Sequence, residues 1–147
     1  MEIARALGRK IPFASHLGVR LVEQGGGRAL LEVELVPELL NSFDSAHGGV
    51  IMTLLDIAMA VAARTLDPKS VGAITVEMKT SFIGTCEGKL VAEGRCIHFG
   101  KSVAFCEGEA RDARGKVVAR ASGTFMVRRA KGGQDDTLPG SGAKKAP

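Results

Sequence analysis

Asp56 is the single acidic residue in the stretch HGGVIMTLLDIAMAVAARTL, residues 47–66, which is otherwise almost wholly apolar up to Arg64. A carboxylate among apolar neighbours can serve as an acid/base group or as a nucleophile. At 100° per residue, Gly49, Thr53, Asp56 and Ala60 share one narrow helical stripe, with Arg64 near its extension. The stripe either lines a site or faces solvent or a neighbouring subunit, with Asp56 satisfied by an Arg or Lys. His47-Gly48-Gly49 opens the same stretch. The first turn of a helix has unpaired N–H groups and a partial positive charge, so it can hold a carboxylate, a phosphate or an oxyanion. Glycine lets a ligand approach those N–H groups closely. Glycine is also common at helix starts for structural reasons, and His47 alone could be a capping or packing residue.

The elements around this stretch can be read from pattern. Residues 1–10 are expected to form a short helix, and Pro12 opens a second turn through Leu17. LGVRLVE and RALLEVELV are strand-like and separated by Gln24-Gly25-Gly26-Gly27. In the second, Ala29, Leu31, Val33 and Leu35 alternate with Leu30, Glu32 and Glu34, as in a half-buried strand. ELLNSFDSA is an irregular or short helical approach to one long helix from Gly48 to about Leu66, stopped at Asp67-Pro68. Four further strand-like runs follow: AITVEMKTSF, KLVAEGRCIHFG, SVAFCEGEARD and KVVARASGTFMVRR. Asp112–Gly115 and Gly100-Lys101 mark hairpin turns. Consecutive hairpins imply an antiparallel sheet. A helix apolar nearly all round must be buried on more than one side, by a curved sheet or by a sheet and a partner subunit.

Length and composition set the frame. One domain over residues 1–129 is expected, with a disordered tail over 130–147 that lacks apolar periodicity. The start, MEIARALGRK, mixes acidic and basic residues, so no secretory signal and a cytoplasmic location are expected. Asp56 and Arg64 interrupt the longest apolar stretch, which excludes a clean membrane span. A net charge of +4 with no Trp or Tyr gives little support for nucleic-acid binding. Cys86, Cys96 and Cys106 show no metal-ligand spacing. His98 near Cys96 leaves a catalytic thiol conceivable, although reduced strand thiols are the better reading. No cofactor and no metal are implied.

Asn41, His47-Gly48-Gly49 and Asp56, spaced N-x5-HGG-x6-D and followed by ITVEMKTSF, resemble the hotdog-fold acyl-CoA thioesterases of the PaaI-like group. The resemblance runs from about Phe13 to Arg128. It implies an α+β hotdog fold, a curved antiparallel sheet wrapped around one long central helix. It further implies an acyl-CoA substrate and a homodimer that pairs into a dimer of dimers. By the same resemblance, the Gly48 N–H meets the thioester oxygen, with His47 beside it, and Asn41 positions the thioester and water. Asp56 attacks the carbonyl or activates water, and Thr75 on the following strand orients Asp56. Asp44 stands where many relatives have a small residue, often Gly. Gly84-Thr85-Cys86 replaces a Pro-containing turn.

Spacing adds a constraint of its own. Eight residues of helix put Gly48 and Asp56 about 12 Å apart along the axis. If both act on one substrate, Asn41, His47 and Gly48 must come from one chain and Asp56 and Thr75 from another. Met52, Leu55 and Phe82 could line an acyl pocket or be ordinary core. Lys79, Arg95, Lys101 and Arg128 could meet CoA phosphates or be solvated. Two other readings stay open: a hotdog hydratase or dehydratase of thioesters, and a non-catalytic acyl-CoA-binding protein.

Overall fold

In the computed structural model, residues 1–7 and 10–130 are described, so the tail expected over 130–147 lies outside them apart from Ala130. Two short helices, α1 (Ile3–Leu7) and α2 (Pro12–His16), lead into the hairpin β1 (Arg20–Gly25) and β2 (Arg28–Glu34). A 3-10 turn at Pro37–Leu39 precedes the long helix α3 (Gly48–Arg64). Four strands follow: β3 (Ser70–Phe82), β4 (Lys89–Phe99), β5 (Val103–Asp112) and β6 (Val117–Arg129). They form one antiparallel sheet in the order β1-β2-β4-β5-β6-β3. Helix α3 therefore carries the chain across the sheet, from β2 on one side to β3 on the far edge.

The sheet can wrap the helix because a row of small residues lies beneath it. Ala29, Gly94, Gly108 and Ala121 are successive register partners across β2, β4, β5 and β6. A Cβ on Gly94 would sit 2.3 Å from the backbone carbon of Ala58, so the helix rests directly on that strand. Side chains on both sides of the contact fill the rest. Leu54, Leu55, Ala58 and Met59 are fully buried, and each large one contributes about 1.5–3 kcal/mol by leaving water. The helix ends where Thr65 caps it. The Thr65 hydroxyl donates to the Ala62 carbonyl at 2.7 Å and accepts the Gly27 N–H at 2.7 Å, tying the β1–β2 turn to the helix end.

Strand β3 starts at Ser70, three residues before the expected Ala73, because Gly72 and Ala73 already pair with Arg128 and Val127 of β6. The approach to α3, expected to be irregular or short helical, is the 3-10 turn Pro37–Leu39 followed by an irregular loop. No described helix is long and apolar enough to cross a membrane.

Candidate active site

The loop before α3 is shaped by Asn41. Its side-chain Oδ1 accepts the Phe43 N–H at 2.8 Å and the Ser45 N–H at 3.2 Å, which closes a tight turn. The Asn41 oxygen is thereby occupied, and its NH2 group is the part left to donate. Asp44 sits in that turn at φ 58°, the left-handed region that favours glycine and that Asp tolerates better than most residues. Glycine is the residue that this backbone position accepts most readily. Asp44 itself points to solvent. Ser45 is buried, and its hydroxyl bonds the Cys86 carbonyl and N–H, both at 3.2 Å, anchoring the loop to the approach of β4.

At the start of α3 the N–H groups can be accounted for one by one. His47 is the N-cap: its Nδ1 accepts the Gly49 N–H at 2.9 Å, which puts the ring proton on Nε2. The Val50 and Ile51 N–H groups reach the His47 carbonyl at 2.9 and 3.2 Å. The Gly48 N–H has no acceptor among the described residues. It is a donor left pointing out of a helix N-terminus, which suits a developing negative oxygen. The Phe82 ring lies against Gly48, so that a Cβ there would be 3.4 Å from its Cε1.

Two turns further along, Asp56 is half-buried, as are Gly49, Thr53, Ala60 and Arg64 on the same stripe. The Thr75 hydroxyl donates to Asp56 Oδ1 at 2.6 Å. Asp56 takes no ion pair among the described residues, so its partner is a neutral hydroxyl and not an Arg or Lys. Burial pushes the Asp56 carboxyl above its ordinary range, and the Thr75 hydrogen bond pulls it part of the way back. Thr75 reaches Asp56 because β3 carries a bulge. Thr75 pairs with Phe125 and Glu77 with Thr124, leaving Val76 as an extra residue. Before the bulge Ala73 and Thr75 face the helix; after it Met78 does. Without the extra residue, Thr75 and Met78 could not share that face.

The structure thus brings Asn41, His47 and Gly48 together at one end of α3 and Asp56 and Thr75 together farther along it. It does not bring the two groups together within one chain. Leu55 is core packed over Gly108, while Met52 is exposed and Phe82 covers Gly48. Lys79 and Arg95 lie on the outer face of the sheet, away from α3, in a depression they share with Glu93, Glu109 and Arg120. Arg95 is paired there with Glu93. Cys96 bonds the His98 carbonyl, not its ring, and the His98 ring leans on Phe105 instead. No Cys–His pair results. Burial pushes the thiol of Cys106 up to about 12 and that of Cys86 to about 11, so neither is a ready nucleophile. Among the described residues no three His, Cys, Asp or Glu side chains gather as a metal site requires.

Ser45 and the bulge at Val76 were not legible as site elements. A buried Ser in a loop has no spacing signal, and a bulge leaves the strand's composition unchanged.

A six-stranded antiparallel sheet curled round one long helix is the hotdog fold of a class of thioester hydrolases. The chain belongs to the thioesterase superfamily, which it matches over residues 43–119. It is similar to a candidate esterase of Saccharolobus solfataricus, 32% identical over 78% of this chain and 82% of that one. It is also similar to the acyl-coenzyme A thioesterase PaaI of Escherichia coli, 27% identical over 79% of this chain and 82% of the relative. The solved structure of a conserved Pseudomonas aeruginosa protein superposes with a TM-score of 0.75 at 27% identity, covering 85% of this chain and 99% of that one.

Proposed function

We propose that the chain hydrolyses acyl-CoA thioesters in sites built between two copies. The observation that carries this reading is the open Gly48 N–H, about 12 Å of helix away from a carboxylate raised by burial. One copy supplies Gly48, His47 and Asn41. The thioester oxygen accepts the Gly48 N–H, and the Asn41 NH2 group steadies the substrate and water. The other copy supplies Asp56, held by Thr75. Asp56 either attacks the carbonyl carbon or takes a proton from water. Either way the carbon–sulfur bond breaks, one water is consumed, and the products are the free acid and CoA thiol. An antiparallel crossing of two α3 helices brings each Gly48 near the other copy's Asp56.

Two further features support pairing. Strand β3 is a sheet edge that shows Ile74 and Val76 to solvent, and Met52 is exposed beside the Asp56 stripe. Such an edge is a template for strand addition. The E. coli relative is named an acyl-coenzyme A thioesterase, and a Listeria monocytogenes relative, 25% identical over 77% of this chain, is named a 1,4-dihydroxy-2-naphthoyl-CoA hydrolase. Those names support the reading of a CoA thioester as substrate. The test is thiol release from a panel of acyl-CoA thioesters by the native chain and by Asp56→Asn. Loss of at least about a hundredfold in kcat/KM is expected in the variant. Thiol release at the native rate by Asp56→Asn would remove Asp56 from the chemistry.

A further inference from the structure

A groove of about 520 Å³ opens beside the start of α3. His47 and Gly49, the neighbours of Gly48 on either side, both line it. It then follows α3 through Val50 to Thr53, about 6 Å along the axis from Gly49. Its floor is apolar and buried: Leu17, Leu39 and Val50. Its walls are apolar and open. Phe13 of α2 is 59% exposed and Val36 is 48% exposed, although both line a concavity. The Thr53 hydroxyl is tied back to the Gly49 carbonyl at 2.8 Å, so it adds no free donor. The polar side chains with a free end are those of His16, Glu38 and His47, all exposed.

A thioester whose oxygen sits on the Gly48 N–H has two arms, and they differ in chemistry. The CoA arm is long, polar and anionic, and it is unsuited to an apolar floor beside a Glu. The acyl arm is the one that an apolar cleft next to the donor can desolvate. We infer that this groove takes the acyl group, and that Phe13 is the residue of α2 that sets its preferred size. This rests on the hydrolytic reading for the position of the carbonyl. The acyl class that fits is uncharged and apolar, of about the size of one aromatic ring or a medium-length chain. An acetyl group would leave most of a groove of about 520 Å³ unfilled. Acyl groups ending in a carboxylate meet Glu38. The sequence hid this wall because Phe13 lies far from Gly48 along the chain, in a helix of five residues.

The test uses Asp56→Asn protein and ketone analogues of phenylacetyl-CoA and acetyl-CoA in which a methylene replaces the thioester sulfur. Dissociation constants are measured by calorimetry with Phe13 intact, with Phe13→Ala and with Val36→Phe, which narrows the groove. The parent is expected to prefer the phenylacetyl analogue. Each groove substitution is expected to lower that preference by about tenfold. A preference unchanged within about twofold in both variants overturns the inference. So does the absence of any preference in the parent, or failure of both analogues to bind because a second copy fills the groove. Hydrolysis is read separately on the native chain. Phe13-dependent binding without hydrolysis removes the hydrolytic reading and leaves the groove, and hydrolysis with a Phe13-independent preference does the reverse.

Discussion

The Thr75 hydroxyl meets Asp56 Oδ1 at 2.6 Å, from a strand that inserts Val76 as an extra residue in order to face the helix there. This one bond opposes the effect of burial on the carboxyl. Removing it therefore has a defined sign. In Thr75→Val burial acts alone, and the Asp56 carboxyl titrates at higher pH than in the native chain. The acid limb of the kcat/KM profile is expected to move to higher pH, and activity near neutrality to fall about tenfold. Thr75→Ser should restore the native profile, since it returns the hydroxyl. An unmoved acid limb in Thr75→Val would show that Asp56 does not control it.

The same raised carboxyl makes a statement about stability. A group whose folded-state value lies above its unfolded value favours the fold most when protonated. Its contribution is fully present below the ordinary carboxylate range and is lost as pH rises through the folded value. Asp56→Asn removes that loss. Its Tm is expected to exceed the native Tm by a few degrees at neutral pH, and the difference to shrink toward zero as the pH is taken below the ordinary carboxylate range. Thermal unfolding at a series of pH values checks this, and a gap that widens in acid would contradict it.

Gly48 permits a substitution that removes one atom's function and little else. Proline is favoured at the first position of a helix, where the missing N–H breaks no helical bond. His47, at φ −62° and ψ 135°, already has the extended backbone that a residue before proline needs. Gly48→Pro should fold with a nearly native Tm and lose about 10²–10³ in kcat, as expected for a lost oxyanion donor. Native turnover in a well-folded Gly48→Pro chain would exclude that donor.

The two central glycines of the sheet should differ in tolerance. A Cβ at Gly94 would lie 2.3 Å from Ala58 backbone, which cannot yield without moving the helix. At Gly108 the nearest atom, at 3.0 Å, is the end of the Leu55 side chain, which can turn. Gly94→Ala is expected to cost at least about 3 kcal/mol, or to prevent folding, and Gly108→Ala about 1–2 kcal/mol. Chemical denaturation measures both, and equal costs would show that the helix does not rest on Gly94.

Much of this molecule was legible in its residues, and the parts that were not have physical reasons. Pro68 and the apolar run of residues 50–63 gave the helix and its end, and Asp112–Gly115 gave a hairpin turn. The resemblance carried by N-x5-HGG-x6-D implied Thr75 as the partner of Asp56, and the Thr75 hydroxyl does bond Asp56 Oδ1. A helix apolar nearly all round does not reveal which apolar face meets the sheet, so Leu55 and Met52 looked alike although one is core and the other exposed. The Val76 bulge and the Phe13 wall depend on register and on contacts distant in sequence, which periodicity cannot report.

The most direct test concerns the two-chain site. Asp56→Asn and Asn41→Asp chains, the latter keeping the Oδ1 acceptor that shapes its loop, are each inactive by expectation. Mixed, unfolded and refolded together in equal amounts, they form some pairs with one intact site, in which Asn41 and Asp56 come from different chains. Random pairing should restore about a quarter of native activity. Activity no greater than that of the two separate variants, in material shown to contain mixed pairs, would contradict a site built between two chains.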